Sequence, residues 1–70
     1  MNKLKGYEIT FYLINGQIGH FIEETSLIRA KNAIKNQFED GGSPVLELSE
    51  DLVLVKANVQ YFIVKEYEEA

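Results

Sequence analysis

A single histidine, a set of neighbouring carboxylates and one glycine pair are what this sequence offers for chemistry. Histidine is the residue type most used for proton transfer at neutral pH, and His20 is the only one in the chain. A catalytic role asks for a nucleophile or an orienting carboxylate at a recognisable offset, and no Ser, Cys or Asp supplies one. A transition-metal site asks for further imidazole or thiolate ligands, and the chain has neither a second His nor any Cys. The reading that remains is a structural histidine, hydrogen-bonded inside the fold. The carboxylates stand mostly as neighbours, Glu23-Glu24, Glu39-Asp40, Glu50-Asp51 and Glu68-Glu69, at the ends of expected elements, where solvated caps and turns use them. Acid/base hydrolysis needs two carboxylates facing across a cleft, and a chain this short and apolar leaves little cleft to line. The sequence therefore reads as non-enzymatic, with no catalytic, cofactor-binding or metal-binding residue.

Phosphate recognition fares no better. Gly41-Gly42-Ser43 is glycine-rich, but it closes an expected helix where a phosphate loop must open one, and no Lys follows it. Tyr12, Tyr61 and Tyr67 near Lys56 and Lys65 have the residue types that stack on and neutralise single-stranded nucleic acid. That use also needs a basic groove. The net charge is −4, from eleven acids against seven bases, and only Arg29, Lys31 and Lys35 on the helix are close enough to form a patch. A small nucleic-acid- or nucleotide-binding β-rich domain is therefore the alternative reading, not the leading one.

The elements that must position any site follow from composition and pattern. Seventy residues make one domain over 1–70 with no room for a second core. The hydrophobic share of 46%, with four Tyr and four Phe, is ample for folding. The absence of cysteine fits a reducing compartment, and the N-terminal run MNKLKGYEIT holds no long apolar stretch, so a cytoplasmic protein without a membrane span is expected. Residues 6–24 read as a β-hairpin: the alternating runs YEITFYLI and QIGHFIEE flank Asn15-Gly16, the pair suited to a type I′ turn. A two-residue loop there sets Leu13 opposite Ile18, Phe11 opposite His20 and Ile9 opposite Ile22. Tyr7, Ile9, Phe11, Leu13, Ile18, His20 and Ile22 then share the core face, and Thr10, Tyr12, Ile14 and Phe21 lie on the other.

Residues 26–40 read as a helix. Thr25 or Ser26 can cap its start, and Leu27, Ala30, Ile34 and Phe38 form one apolar stripe flanked by Ala33. Gly41-Gly42 in left-handed conformation, followed by Pro44, would end it. Residues 44–67 read as a three-stranded β-meander, VLELS, LVLVK and VQYFIVKEY, ahead of the acidic tail Glu68-Glu69-Ala70. The expected fold is α+β: a five-stranded antiparallel sheet in the order ββαβββ with one helix packed on one face.

That architecture leaves apolar surface over. One helix lays down a strip about 10 Å wide, whereas five strands at about 4.8 Å spacing span more than ~20 Å. From Leu52 to Val64 apolar residues do not alternate with polar ones, so both sheet faces need cover. Val59, Tyr61 and Ile63 take one side, and Phe62 and Val64 the other. Either the sheet curls on itself or the bare face meets another chain. Tyr12, Ile14, Phe21, Tyr61 and Phe62 are the candidate interface anchors, with at most one of Tyr61 and Phe62 on the patch because they face opposite ways. The chain is thus expected to bind a protein partner, a second copy of itself, or both, with a dimer favoured, through a sheet face or a sheet edge.

In style, Lys/Asn/Ile/Glu-rich, free of cysteine and closing on NVQYFIVKE, the whole chain resembles the short accessory proteins of phages, prophages and low-GC Gram-positive bacteria. That resemblance implies a small modulator or inhibitor of a host protein. It carries no residue over to this sequence.

Overall fold

The computed structural model describes residues 3–67; the expected Glu68-Glu69-Ala70 tail lies outside them. The chain runs β1 (Lys5–Leu13), β2 (Gly16–Glu24), α1 (Leu27–Glu39), β3 (Val45–Ser49), β4 (Leu52–Val55) and β5 (Val59–Tyr67), with a single 3₁₀ turn at Lys56–Asn58 before β5. The fold is α+β with one helix and antiparallel pairing. The strands do not form one five-stranded sheet. They divide into a three-stranded sheet ordered β2-β1-β5 and a two-stranded β3-β4 hairpin.

The three-stranded meander expected over residues 44–67 is therefore absent, and strand length explains why. β4 has four residues and β5 has nine, so β4 can satisfy less than half of the β5 backbone. β1 also has nine residues and pairs with β5 from Gly6↔Tyr67 to Leu13↔Val59. The turn at Lys56–Asn58 carries the chain off the hairpin and across to β1, and the Ile14 N–H donates to the Asn58 carbonyl at 3.1 Å to seal the crossing.

That bond also bears on the first hairpin. Ile14 and Asn15 form the turn, with Leu13 opposite Gly16, Phe11 opposite Ile18, Ile9 opposite His20 and Tyr7 opposite Ile22. The register is thus two residues from the Asn15-Gly16 expectation. Among the described residues no side chain other than glycine's hydrogen sits at positive φ, so a type I′ turn with Asn15 left-handed does not form. A slip of two preserves side-chain parity, and the core face keeps every expected member.

α1 starts at Ser26, whose Oγ accepts from the Arg29 N–H at 3.3 Å. Ala30 and Ile34 are buried on the apolar stripe, whereas Ile28 faces solvent. The helix ends without a left-handed glycine, because neither Gly41 nor Gly42 has positive φ. Asp40 closes it: its N–H donates to the Asn36 carbonyl at 3.1 Å, while its carboxylate accepts from the Gly42 N–H at 3.0 Å. Lys56 Nζ then donates to the Asp40 carbonyl at 2.9 Å and ties this end to the crossing turn.

The inner face of the three-stranded sheet is covered by α1 together with the β3-β4 hairpin. Leu46 and Leu54, opposite one another in the hairpin, join Ile9, Phe11 and Ile34 in the buried cluster, with Leu48 and Leu52 packed against it. The strip that one helix leaves bare is filled by four leucines, so the sheet need not curl to cover its inner face. Phe11 is fully buried between rings from two other elements, with Phe38 at 6.4 Å and Phe62 at 5.9 Å. Phe38 and Phe62 stack on each other at 5.7 Å and 7°.

Candidate interaction surface

The outer face of the three-stranded sheet has no cover among the described residues. The two ladders fix which side chains share it, because partners directly opposite point the same way. At the open end Gly6 stands between Glu23 and Tyr67, then Glu8 between Phe21 and Lys65, Thr10 between Gly19 and Ile63, and Tyr12 between Gln17 and Tyr61. Phe21 is 57% exposed, Tyr61 54%, Tyr67 50% and Ile63 41%, far from the near-zero exposure of the opposite face of β1.

These side chains are ordered against one another. Tyr12 and Tyr61 stack at 4.6 Å and 15° across the β1–β5 pair. Phe21 and Tyr67 meet edge to face at 5.3 Å and 75°, although β1 lies between their strands. Gly6 makes that possible: the Tyr67 ring lies over it, with Cδ2 3.7 Å from where a Cβ would stand. The Glu8 carboxylate leans over Gly19 on β2, its Oε2 3.7 Å from a Cβ position there, and so away from Lys65 on β5. Gly19 and Thr10 thus floor a shallow trough between one aromatic pair and the other, with a carboxylate on its wall.

Of the expected anchors, Tyr12, Phe21 and Tyr61 come together on this face. Ile14 lies in the turn, 67% exposed and off the ladders. Phe62 belongs to the opposite side, stacked on Phe38 and half-buried against the core. Val59 also leaves the side shared by Tyr61 and Ile63. Tyr12 pairs with Tyr61 but Leu13 with Val59, so Gln60 is an extra residue that turns Val59 inward to the core. Ile63 and Tyr67 are members that the anchor set lacked, and their even spacing from Tyr61 is the sequence signal that places them there.

His20 sits opposite Ile9 instead of Phe11, half-buried, and among the described residues its side chain makes no hydrogen bond. No three His, Cys, Asp or Glu side chains among the described residues group to hold a metal ion. No helix among them is long and apolar enough to cross a membrane.

Comparison with family models, curated proteins and solved structures gave no match. The functional reading therefore rests on this surface.

Proposed function

We propose that the chain is a non-enzymatic protein-binding module whose contact surface is the outer face of the β2-β1-β5 sheet, and that copies associate through the same face when no partner is present. The observation that carries this reading is a single ordered surface holding Tyr12, Phe21, Tyr61, Ile63 and Tyr67 in contact with solvent. Three strands at about 4.8 Å, each about 30 Å long, give a footprint of about 400 Å². Within that footprint the rings and Ile63 are rimmed by Gln17, Glu23 and Lys65, and exposed apolar groups gathered on one face with a polar rim are the pattern of an interaction site. Aromatic rings held by one another lose little freedom on binding, and they dominate interface energetics.

Composition agrees with this choice over nucleic acid. The face carries Glu8 and Glu23 against Lys65 alone, on a chain of net charge −4, which repels a phosphate backbone. The resemblance to phage accessory proteins points to a protein of the host cell as the partner.

The test compares the tagged wild type with Phe21→Ser in capture from host lysate and in sedimentation at several concentrations. Phe21 is exposed, so the variant is expected to melt within a few degrees of the wild type while losing both the captured protein and any concentration-dependent mass. A large fall in melting temperature, or unchanged capture and mass, would overturn the reading.

A further inference from the structure

Along the free side of β5 runs an open groove of about 400 Å³, lined by Leu27, Lys31 and Lys35 of α1 and by Phe62 and Val64 of β5. Residues four apart on a helix share a face, so the three helix residues form one row about 12 Å long. β5 is the last strand in the order β2-β1-β5, and its side away from β1 carries no ladder among the described residues. An unpaired strand edge presents N–H and C=O groups that another extended segment can satisfy. A strand added there would point every second side chain toward the groove, those opposite Phe62 and Val64. Three such side chains span about 13 Å, the length of the helix row.

The lining specifies what those side chains are. Leu27, Phe62 and Val64 make the floor apolar, and Leu27 is 49% exposed, open to a further contact. Lys31 and Lys35 make the rim basic on a chain whose net charge is −4. Lys35 reaches Glu39 at 3.7 Å, but both side chains are more than half exposed, so the pair holds it weakly. Lys31 has no ion-pair partner among the described residues. The β5 of a second copy would offer a single carboxylate on the side of Phe62 and Val64, Glu66, which already reaches Lys5 at 3.5 Å, so two lysines in a row select an occupant with two free acids.

We propose that β5 and the groove beside α1 accept an extended segment of another protein as an added strand, with an apolar side chain between Leu27 and Val64 and acidic side chains, two residues apart, toward Lys31 and Lys35. The proposal shares the protein-binding reading above in class but uses a different surface, and Phe21→Ser separates the two.

The probe is a capped heptapeptide in which threonine alternates with valine, glutamate and glutamate, titrated into the full chain and followed by amide chemical shifts and calorimetry. Shifts are expected along 60–66 and 27–35. A peptide with lysine for both glutamates should bind at least about tenfold more weakly. The exposed double variant Lys31→Glu/Lys35→Glu should reverse that preference with an unchanged circular dichroism spectrum, and Phe21→Ser should leave it intact. Two further peptides, N-methylated at one or the other set of alternate residues, should differ, because only one set of amides faces the edge. Absence of binding by the glutamate peptide up to about 1 mM, equal affinity for the lysine peptide, or equal loss in both methylated peptides would overturn the proposal.

Discussion

The Tyr12 and Tyr61 rings stack at 4.6 Å and 15° on the solvent side of the sheet, while their chain neighbours Phe11 and Phe62 meet at 5.9 Å in the core. One stretch of the β1–β5 ladder thus builds the interior and the candidate surface together. The outer stack is an ordered cross-strand pair. Such pairs contribute about 0.5–1 kcal/mol beyond their separate burial. A double-mutant cycle with Tyr12→Ala and Tyr61→Ala, read from urea unfolding, is expected to give a coupling of that size. Strict additivity would mean that the rings do not hold each other in solution.

The start of α1 rests on a single side-chain cap. Ser26 Oγ accepts from the Arg29 N–H at 3.3 Å, and the Ser26 carbonyl accepts from the Ala30 N–H at 3.0 Å. Ser26→Ala removes the first bond only and is expected to cost about 1 kcal/mol, with Ser26→Asp restoring most of it. For a domain this small, that loss corresponds to a fall of about 4–8 °C in melting temperature. An unchanged melting temperature would shift the capping role to Thr25, the other hydroxyl at this end.

Side-chain parity was legible from sequence wherever alternation was strict. Tyr7, Ile9 and Phe11 face the core as expected, and the two-residue slip of β2 left that face intact because an even shift preserves parity. Strand partnership was not legible. The runs at Val45–Ser49, Leu52–Val55 and Val59–Tyr67 look like a meander, since nothing local says that β5 finds its length partner in β1. Gln60 hides in the same way: an extra residue in a ladder has no composition signature, yet it decides that Val59 packs inward while Tyr61 does not. The site suffered accordingly. The hairpin pattern alone places Tyr12 and Phe21 on the outer face, whereas Phe62 entered the anchor set because the two sides of β5 could not be told apart without β1.

Gly19 offers a test that separates surface from stability. Its backbone lies outside the left-handed region, and a Cβ there would meet only the flexible end of Glu8 at 3.7 Å. Threonine suits an exposed strand position better than glycine by up to about 1 kcal/mol. Gly19→Thr is therefore expected to raise the melting temperature by several degrees. The same side chain fills the trough floored by Gly19 and Thr10, so partner capture through the outer face should weaken. A variant that gains stability and loses binding cannot be explained as a folding defect.

The sharpest contrast lies between two adjacent residues. Tyr61 is 54% exposed and stacked only on Tyr12, whereas Phe62 packs on both Phe11 and Phe38. Truncating an exposed ring leaves no internal cavity, and Tyr61→Ala should cost no more than about 1 kcal/mol. Phe62→Ala opens a void between α1 and the sheet and removes one ring of the Phe11–Phe38–Phe62 cluster, at about 2–4 kcal/mol. A domain of this length holds only about 4–10 kcal/mol in total, so the second variant should unfold at markedly lower urea and the first at only moderately lower urea. Binding should divide the other way, lost in Tyr61→Ala while the variant stays folded. Were Tyr61→Ala the more damaging to folding, the Gln60 irregularity and the side of β5 that faces the core would both have to be reassigned.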